Sequence, residues 1–325
     1  SLKSVKAIGW FIEEYGIAQI SMNLTNLTVT PLHIAFDEVC RKAEARGIRV
    51  TGSELVGLIP LNAMLEAGKY FLRKQKRSAG VSEKELVRIA VISMGLDALS
   101  PFRPEEKIIE YLLKDKSAEK LIHLSLSDFA DETASESPAP GGGSVAAYLG
   151  ALGASLAGMV ANLSAHKKGW DDRWETFSDW AERAEKSKNS LLQLVDADTK
   201  AFHELMQAHT LPKFTEAEKA FRKKAIDEAT AKAMAVPFQV MKLALDSMQL
   251  IKAMALQGNP NSVSDAGVAA LCARSAVLGA CLNVRINASG SESDEKISAI
   301  LTEAKKMEAE AVLAEVEILQ LVNLR

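Results

Sequence analysis

Charge of one sign, paired cysteines and clustered histidines are what this chain has least of. Its 39 Lys and Arg nearly balance 42 Asp and Glu, for a net charge of −3 at pH 7. No basic run of the kind that tracks a phosphate backbone occurs, so nucleic acid is not an expected partner. The three cysteines, Cys40, Cys272 and Cys281, are far apart, odd in number and without CxxC spacing. That pattern predicts a reducing, cytoplasmic setting, with neither disulfides nor zinc. Five histidines show no H-x-x-x-H spacing, and nothing asks for a metal or a redox cofactor. No GxxxxGK[ST] or GxGxxG loop is present, which argues against a nucleotide site. The first residues lack a signal-peptide core and a starting Met, so Ser1 reads as the beginning of a fragment or a processed chain.

What is present suffices for two domains: 325 residues, 48% of them apolar. Residues 5–24 alternate loosely about Gly16 and predict a hairpin turning at Glu13–Gly16. Pro31 opens a helix on Leu32, Phe36, Val39, Cys40 and Ala43, ended by Gly47. A short strand over 48–56, a helix from Pro60 to Leu72 and a capped helix from Ser82 to Met94 follow. Pro104 begins a last helix ending near Leu113. These elements predict a βαβ-containing α+β partial domain over 1–113, then a linker over 114–123, whose core Lys114–Lys120 is charged and polar.

From 124 to 325 the patterning is all helical and predicts a bundle, with segments near 125–133, 144–166, 170–206, 215–256, 264–288 and 293–324. Pro237 is expected to kink the fourth of these. Val145–Leu163 runs nineteen residues without a charge, close to the ~20 that span a bilayer. Nine of those residues are Ala or Gly, and no second span is expected, so the reading is a soluble, close-packed central helix buried on all sides.

Three features are site-like. In Pro138-Ala-Pro-Gly-Gly-Gly-Ser144, the glycines, free to take positive φ, feed a helix N-terminus with Ser144 as its expected N-cap; such a turn presents N–H groups to an anion or a carbonyl oxygen. Asp198 falls amid the apolar stripe Leu191, Leu194, Val195, Ala201, Phe202 and Leu205, while Asp196 falls on the polar side with Thr199. A carboxylate in a core stripe is costly unless paired, and burial raises its pKa toward proton-transfer range; a structural Asp is the alternative. Gly258–Asp265 is a polar turn with Ser264 as expected N-cap, and Asn283 and Asn287 lie one turn apart beside Gly279. Those two amides suit either a planar heterocycle or a link between helices.

Residues 120–325 resemble the formiminotetrahydrofolate cyclodeaminase family, which includes methenyltetrahydrofolate cyclohydrolases. The resemblance rests on PAPGGGSVAA (138–147), LVDADTKAF (194–202), AVPF (235–238), NSVSD (261–265) and GACLNVRIN (279–287), in that order. The first part resembles the C-terminal subdomain of glutamate formiminotransferase through KAIGWFIEEYGIAQISMNL, GSELVGLIPL and GLDALSPFRPEEKIIEYLL. The order of the two is that of bifunctional formimidoyltransferase–cyclodeaminases of histidine breakdown. The resemblance implies conversion of 5-formiminotetrahydrofolate to 5,10-methenyltetrahydrofolate and ammonia, with no bound cofactor and a folate, with or without a polyglutamate tail, as substrate. It implies Asp198 as proton acceptor. Pro140, Gly141, Gly142, Gly143, Ser144, Asp265, Asn283 and Asn287 are the candidate folate contacts. It also implies a homo-oligomer, a dimer or a ring of dimers. The family's transferase N-terminal subdomain, with its catalytic histidine, has no counterpart here, so formimino transfer is not expected of the chain as given. The alternatives are cyclohydrolase activity in the same pocket and a non-catalytic folate-holding or oligomerisation module. A membrane-associated helical protein is a further reading, disfavoured by the Ala/Gly content.

Overall fold

A computed structural model describes residues 2–114, 120–289 and 294–325. Its contacts divide the chain into two units, with the boundary at 116/117. Most of the expected linker core, 115–119, lies outside the described residues.

In the first unit, β1 (Val5–Ile12) and β2 (Ile17–Leu24) pair antiparallel, Val5 opposite Leu24 and Ile12 opposite Ile17. The turn closes at Gly16, whose φ of +62° favours glycine. Four helical stretches follow the hairpin and the first helix: after α1 (Leu32–Glu44) come α2 (Leu61–Lys74), α3 (Glu83–Met94) and two single turns, α4 (Pro104–Lys107) and α5 (Ile109–Leu112). Ser82 caps α3 by accepting from the Glu85 N–H, but the Glu85 carboxylate turns to Arg88 instead of completing a capping box. The core of this unit is built on Ile59, Met64, Phe71, Val87, Met94 and Ile108.

Two expectations for this unit fail. Residues 48–56 form no strand, so there is no βαβ unit. Their polar groups serve the C-terminus of α3 instead: the Ser53 N–H donates to Gly95 O at 3.0 Å and its hydroxyl to Met94 O at 2.6 Å. The helix expected over 104–113 breaks at Ile108, whose backbone is extended and bridges Ile59, with Ile59 N to Lys107 O at 2.9 Å and Ile109 N to Ile59 O at 3.0 Å.

The second unit is a helical bundle: α6 (Leu126–Ala134), α7 (Gly142–Ala165), α8 (Trp174–Thr210), α9 (Glu216–Gln257), α10 (Val263–Ala288) and α11 (Glu295–Asn323). Helix α9 runs through Pro237 as a single assigned helix. Alanine and glycine let α7 sit against α8 and α10 almost backbone to backbone. A Cβ on Gly150 would lie 3.2 Å from Leu191 of α8 and 3.3 Å from Ala276 of α10. One on Gly153 would lie 3.0 Å from the Ala269 carbonyl. Pairing 150 with 276, 153 with 269 and 146 with 279 makes α7 and α10 antiparallel along their length. On α11 the buried face includes Glu315, ion-paired to Arg274 of α10 at 3.0 Å, while the next residue, Val316, is half exposed.

Three further corrections concern the helix beginnings and their cover. Helix α7 starts at Gly142, with Gly141 at its N-cap, so Ser144 stands in the first turn and is wholly buried. None of Gly141, Gly142 and Gly143 has positive φ. Helix α10 starts at Val263 after a 3-10 turn, Pro260–Ser262, which leaves Ser264 exposed inside the first turn and not at the cap. Nor is α7 buried all round: Leu152, Met159 and Leu163 face outward. A second stretch, Pro260–Ala288, is also long and apolar enough to cross a membrane, against the expectation of none; about half of each stretch is buried within the bundle.

Candidate active site

The first turn of α7 and the middle of α8 meet at a partly buried carboxylate, that of Asp198. Ser144 reaches α8 with one hydroxyl: its Oγ lies 3.0 Å from Val195 O, 3.1 Å from Asp198 Oδ2 and 3.2 Å from Thr199 Oγ1. A hydroxyl carries one proton, so it donates to either Val195 or Asp198, and the Thr199 hydroxyl is placed to donate to it in turn. The Ser144 backbone N–H also faces the Asp198 carboxylate and favours its charged form. It is one of the N–H groups that the start of a helix leaves unpaired. The carboxylate thereby caps α7 from a neighbouring helix, at the partly positive end of its dipole.

Burial pushes the Asp198 carboxyl up from the usual range, and the two Ser144 hydrogen bonds pull it part of the way back. Desolvation is the largest cause. Among the described residues no lysine, arginine or histidine contributes to this shift, and the charge is held by the Ser144 dipoles. That is the setting of a group which exchanges a proton more readily than an ion-paired carboxylate does.

The glycines have a steric reason. A Cβ on Gly143 would come within 2.6 Å of Asp198 Cγ and overlap its oxygens. At Gly142 the neighbour is the Asn283 amide, whose Nδ2 would stand 3.4 Å from a Cβ. Asn283 also donates to Gly279 O at 2.9 Å, one turn earlier on α10. So Gly142, Gly143, Ser144, Asp198 and Asn283 share one end of the α7–α8–α10 packing. Pro140 and Gly141 lead directly into it, Pro140 buried and Gly141 half-buried.

Two candidates stand apart from that group. Asn287 donates to the Ala233 carbonyl at 2.7 Å and so links α10 to α9. Asp265 lies at the opposite end of α10, eighteen residues from Asn283, or about 27 Å along the helix. Thr199, which the periodicity assigned to the polar side, belongs to the site instead. Its i+4 spacing from Val195, the residue whose carbonyl Ser144 reaches, is the signal that could have placed it. Asp196 is also occupied, accepting the Leu121 N–H at 2.7 Å. Among the described residues no group of three or more His, Cys, Asp or Glu side chains is arranged to hold a metal ion.

Comparison with known proteins agrees with both units. The family model described as formiminotransferase-cyclodeaminase matches residues 125–306. The model for the formiminotransferase domain matches 1–114. Formimidoyltransferase-cyclodeaminase of Mus musculus is 39% identical over 316 residues, covering 95% of this chain and 58% of its own length. The chain thus spans somewhat over half of that relative. Methenyltetrahydrofolate cyclohydrolase of Methylorubrum extorquens is 38% identical over 191 residues, 59% of this chain and 89% of that protein. The crystal structure of formiminotetrahydrofolate cyclodeaminase from Thermotoga maritima superposes with a TM-score of 0.56 at 30% identity, over 63% of this chain and 98% of that one. Relatives of both kinds are enzymes of folate one-carbon chemistry, and the matches extend over the glycine run and Asp198. On these matches the chain belongs to the formiminotransferase-cyclodeaminase family.

Proposed function

We propose that residues 120–325 carry a formimidoyltetrahydrofolate cyclodeaminase, with Asp198 as its proton-transfer group. The observation that carries this reading is a partly buried carboxylate that, among the described residues, has no cationic partner and is held by hydrogen bonding from Ser144 at the start of α7. In the protonated formimino substrate, N10 attacks the one-carbon centre on N5 and closes a five-membered ring. The N10 proton must then leave and the amino group must gain one before it departs as ammonia. A single carboxylate between the two nitrogens can take the first proton and return it to the second, so that a cation enters and a cation plus ammonia leave. Burial, which raises the carboxyl's pKa, brings it nearer to the working pH and makes both transfers easier. Its negative charge also favours the cationic substrate and ring.

The family resemblance supplies the folate and the reaction; the side chains supply the acid–base role. Cyclohydrolase chemistry is the second reading, favoured by the Methylorubrum extorquens relative. It would use the same carboxylate to deprotonate a water attacking the methenyl carbon. The match of residues 1–114 to the formiminotransferase domain favours the deaminase. In this proposal the chain works in the cytoplasm as a homo-oligomer, on a folate and without a bound cofactor.

The deciding assay measures ammonia and methenyltetrahydrofolate formed from 5-formiminotetrahydrofolate. Turnover by the parent and a loss of about 100-fold or more in Asp198→Asn support the proposal, on the scale of general acid–base catalysis. Hydration of methenyltetrahydrofolate without ammonia release from the formimino substrate gives the site to the cyclohydrolase. Folate binding with no turnover of either substrate makes it a holding module.

A further inference from the structure

The contact between α7 and α8 holds two hydroxyl protons, those of Ser144 and Thr199, and the acceptors around them decide where each goes. A serine or threonine inside a helix commonly returns its hydroxyl to the carbonyl four residues back. Ser155, Ser164, Ser247 and Thr302 do so in this chain, at 2.6–2.9 Å. For Thr199 that carbonyl would be Val195 O, but its Oγ1 makes one hydrogen bond among the described residues, to Ser144 Oγ at 3.2 Å. Ser144 Oγ itself stands 3.0 Å from Val195 O. The acceptor that Thr199 would use on its own helix is faced by α7 instead.

Two arrangements satisfy the contact between the hydroxyls. If Ser144 donates to Thr199, neither Asp198 nor Val195 O receives its proton, and the Thr199 proton has no acceptor among the described residues. If Thr199 donates to Ser144, both protons are placed. One goes to Ser144 Oγ, the other to Asp198 Oδ2 at 3.1 Å or to Val195 O. A serine oxygen can accept while it donates, and a hydroxyl that accepts a hydrogen bond donates a stronger one. Ser144 is wholly buried, so bulk water does not compete for its oxygen. The carboxylate makes the stronger demand on its proton. The donors therefore run one way, from Thr199 to Ser144 to Asp198. Asp198 and Thr199 are consecutive on α8 and point about 100° apart around it, so Thr199 acts on the carboxylate through Ser144.

We infer that Thr199 is a positioning residue for the proton-transfer carboxylate: its hydroxyl turns the Ser144 proton onto Asp198 Oδ2, which leaves Oδ1 to take and return the substrate's proton. No side chain among the described residues donates to Oδ1. That oxygen lies over Gly143, in space that a Cβ would fill. With Oδ2 held by a donor, a proton arriving from N10 settles on Oδ1, and the same atom gives it up to the leaving amine. Holding Oδ2 also stops rotation about the Cβ–Cγ bond, so the reacting oxygen keeps its direction between the two transfers. This role rests on the proposed cyclodeaminase chemistry; the donor chain itself does not.

Thr199→Val keeps the shape and the branch of the side chain and loses its hydroxyl. Two readouts separate the donor chain from the chemistry: the titration of the Asp198 carboxyl carbon by NMR, and the pH profile of kcat/KM. Losing the first donor weakens the Ser144 hydrogen bond, so Asp198 should titrate at higher pH in the variant. On the acid limb kcat/KM should fall about 2–5-fold, less than in Ser144→Ala, because one bond in a chain strengthens the next by only roughly 10–30%. Thr199→Ser should restore both readouts, and Thr199→Val added to Ser144→Ala should change neither. Thr199→Ala repeats the measurement if valine disturbs the fold. An unmoved Asp198 titration in the hydroxyl-free variants overturns the inference and leaves Thr199 a packing residue. A shift that persists in the Ser144→Ala background overturns it as well, since Thr199 would then act on the carboxylate without Ser144. The expected titrations in a parent that shows no turnover keep the donor chain and remove its role in proton transfer, together with the deaminase reading.

Discussion

Gly143 and the carboxylate of Asp198 occupy space that only one of them can extend into: a Cβ on residue 143 would stand 2.6 Å from Asp198 Cγ. The first turn of α7 and the middle of α8 are fitted to each other at this point. The glycine is there for closeness, since its φ is not positive. Closeness is what lets the Ser144 N–H and hydroxyl reach the carboxylate.

Gly143→Ala therefore tests the site without altering any polar group. Alanine is favoured over glycine inside a helix by up to about 1 kcal/mol, so α7 itself gains. The methyl group nevertheless displaces the carboxylate from the Ser144 donors. The expected result is a melting temperature within a few degrees of the parent and a kcat lower by about 10–100-fold. Steady-state kinetics beside a thermal melt reads both. A fall in KM-related binding alone, with kcat intact, would detach the glycine from the proton-transfer geometry.

Asp198→Asn should separate function from stability. Burial raises the carboxyl's pKa in the folded protein, so the folded state holds a proton more tightly than the unfolded one. Stability is then greatest while the group is protonated and falls as pH rises from the ordinary carboxylate range through the raised value. Asparagine keeps an oxygen that can accept the Ser144 hydrogen bonds and carries no charge to desolvate. The variant should match the parent in acid and melt higher than it near neutral pH, while turnover is lost. Denaturation at a series of pH values gives the difference directly. A variant that is less stable at every pH would mark Asp198 as a structural residue.

The helical half was legible because its periodicity is local and repeated over many turns, so all six predicted helices appear with ends shifted by a few residues. Asp198 was legible for the same reason, as an acid set in an apolar stripe. What periodicity does not carry is which polar group meets which across helices. Ser144 has the residue type of an N-cap, but the two glycines before it also fit a helix when a neighbour needs the room, and α7 begins at Gly142. Thr199 looked solvent-facing until α7 came against it. The failed strand at 48–56 has a similar origin: its apolar residues suit an extended chain, but a strand needs a partner edge, and the C-terminus of α3 claims its polar groups.

Gly68→Ala probes the first unit alone. A Cβ there would meet the backbone of α3, 2.8 Å from Leu86 C and 2.9 Å from its Cα, and backbone cannot step aside as a side-chain tip can. Forcing α2 from α3 should cost about 1–3 kcal/mol, the scale of an overpacked core. Hydrogen exchange should quicken at the amides of α2 and α3 and stay unchanged in α7 and α10. Uniform quickening across both halves would mean that the two units unfold as one.

Ser144→Ala examines where the single hydroxyl proton points. The distances to Val195 O and Asp198 Oδ2 differ by 0.1 Å, 3.0 against 3.1, too little to choose between them. Val195 O lies inside α8 and already accepts a helical hydrogen bond, whereas the carboxylate has few donors and a charge to stabilise. The stronger demand is the carboxylate's, because hydrogen bonds to charged groups are worth about 1.5–3 kcal/mol against about 1 for neutral pairs. Since the Ser144 hydroxyl lowers the Asp198 pKa, its removal should raise that pKa further. The base form is the one that accepts the N10 proton, so the acid limb of kcat/KM should move to higher pH in the variant. The plateau rate should fall by less than about 10-fold, because the Ser144 N–H still holds the carboxylate in place. If the limb stays where it is in the parent, the proton belongs to Val195 O, and Ser144 serves to pack α7 against α8.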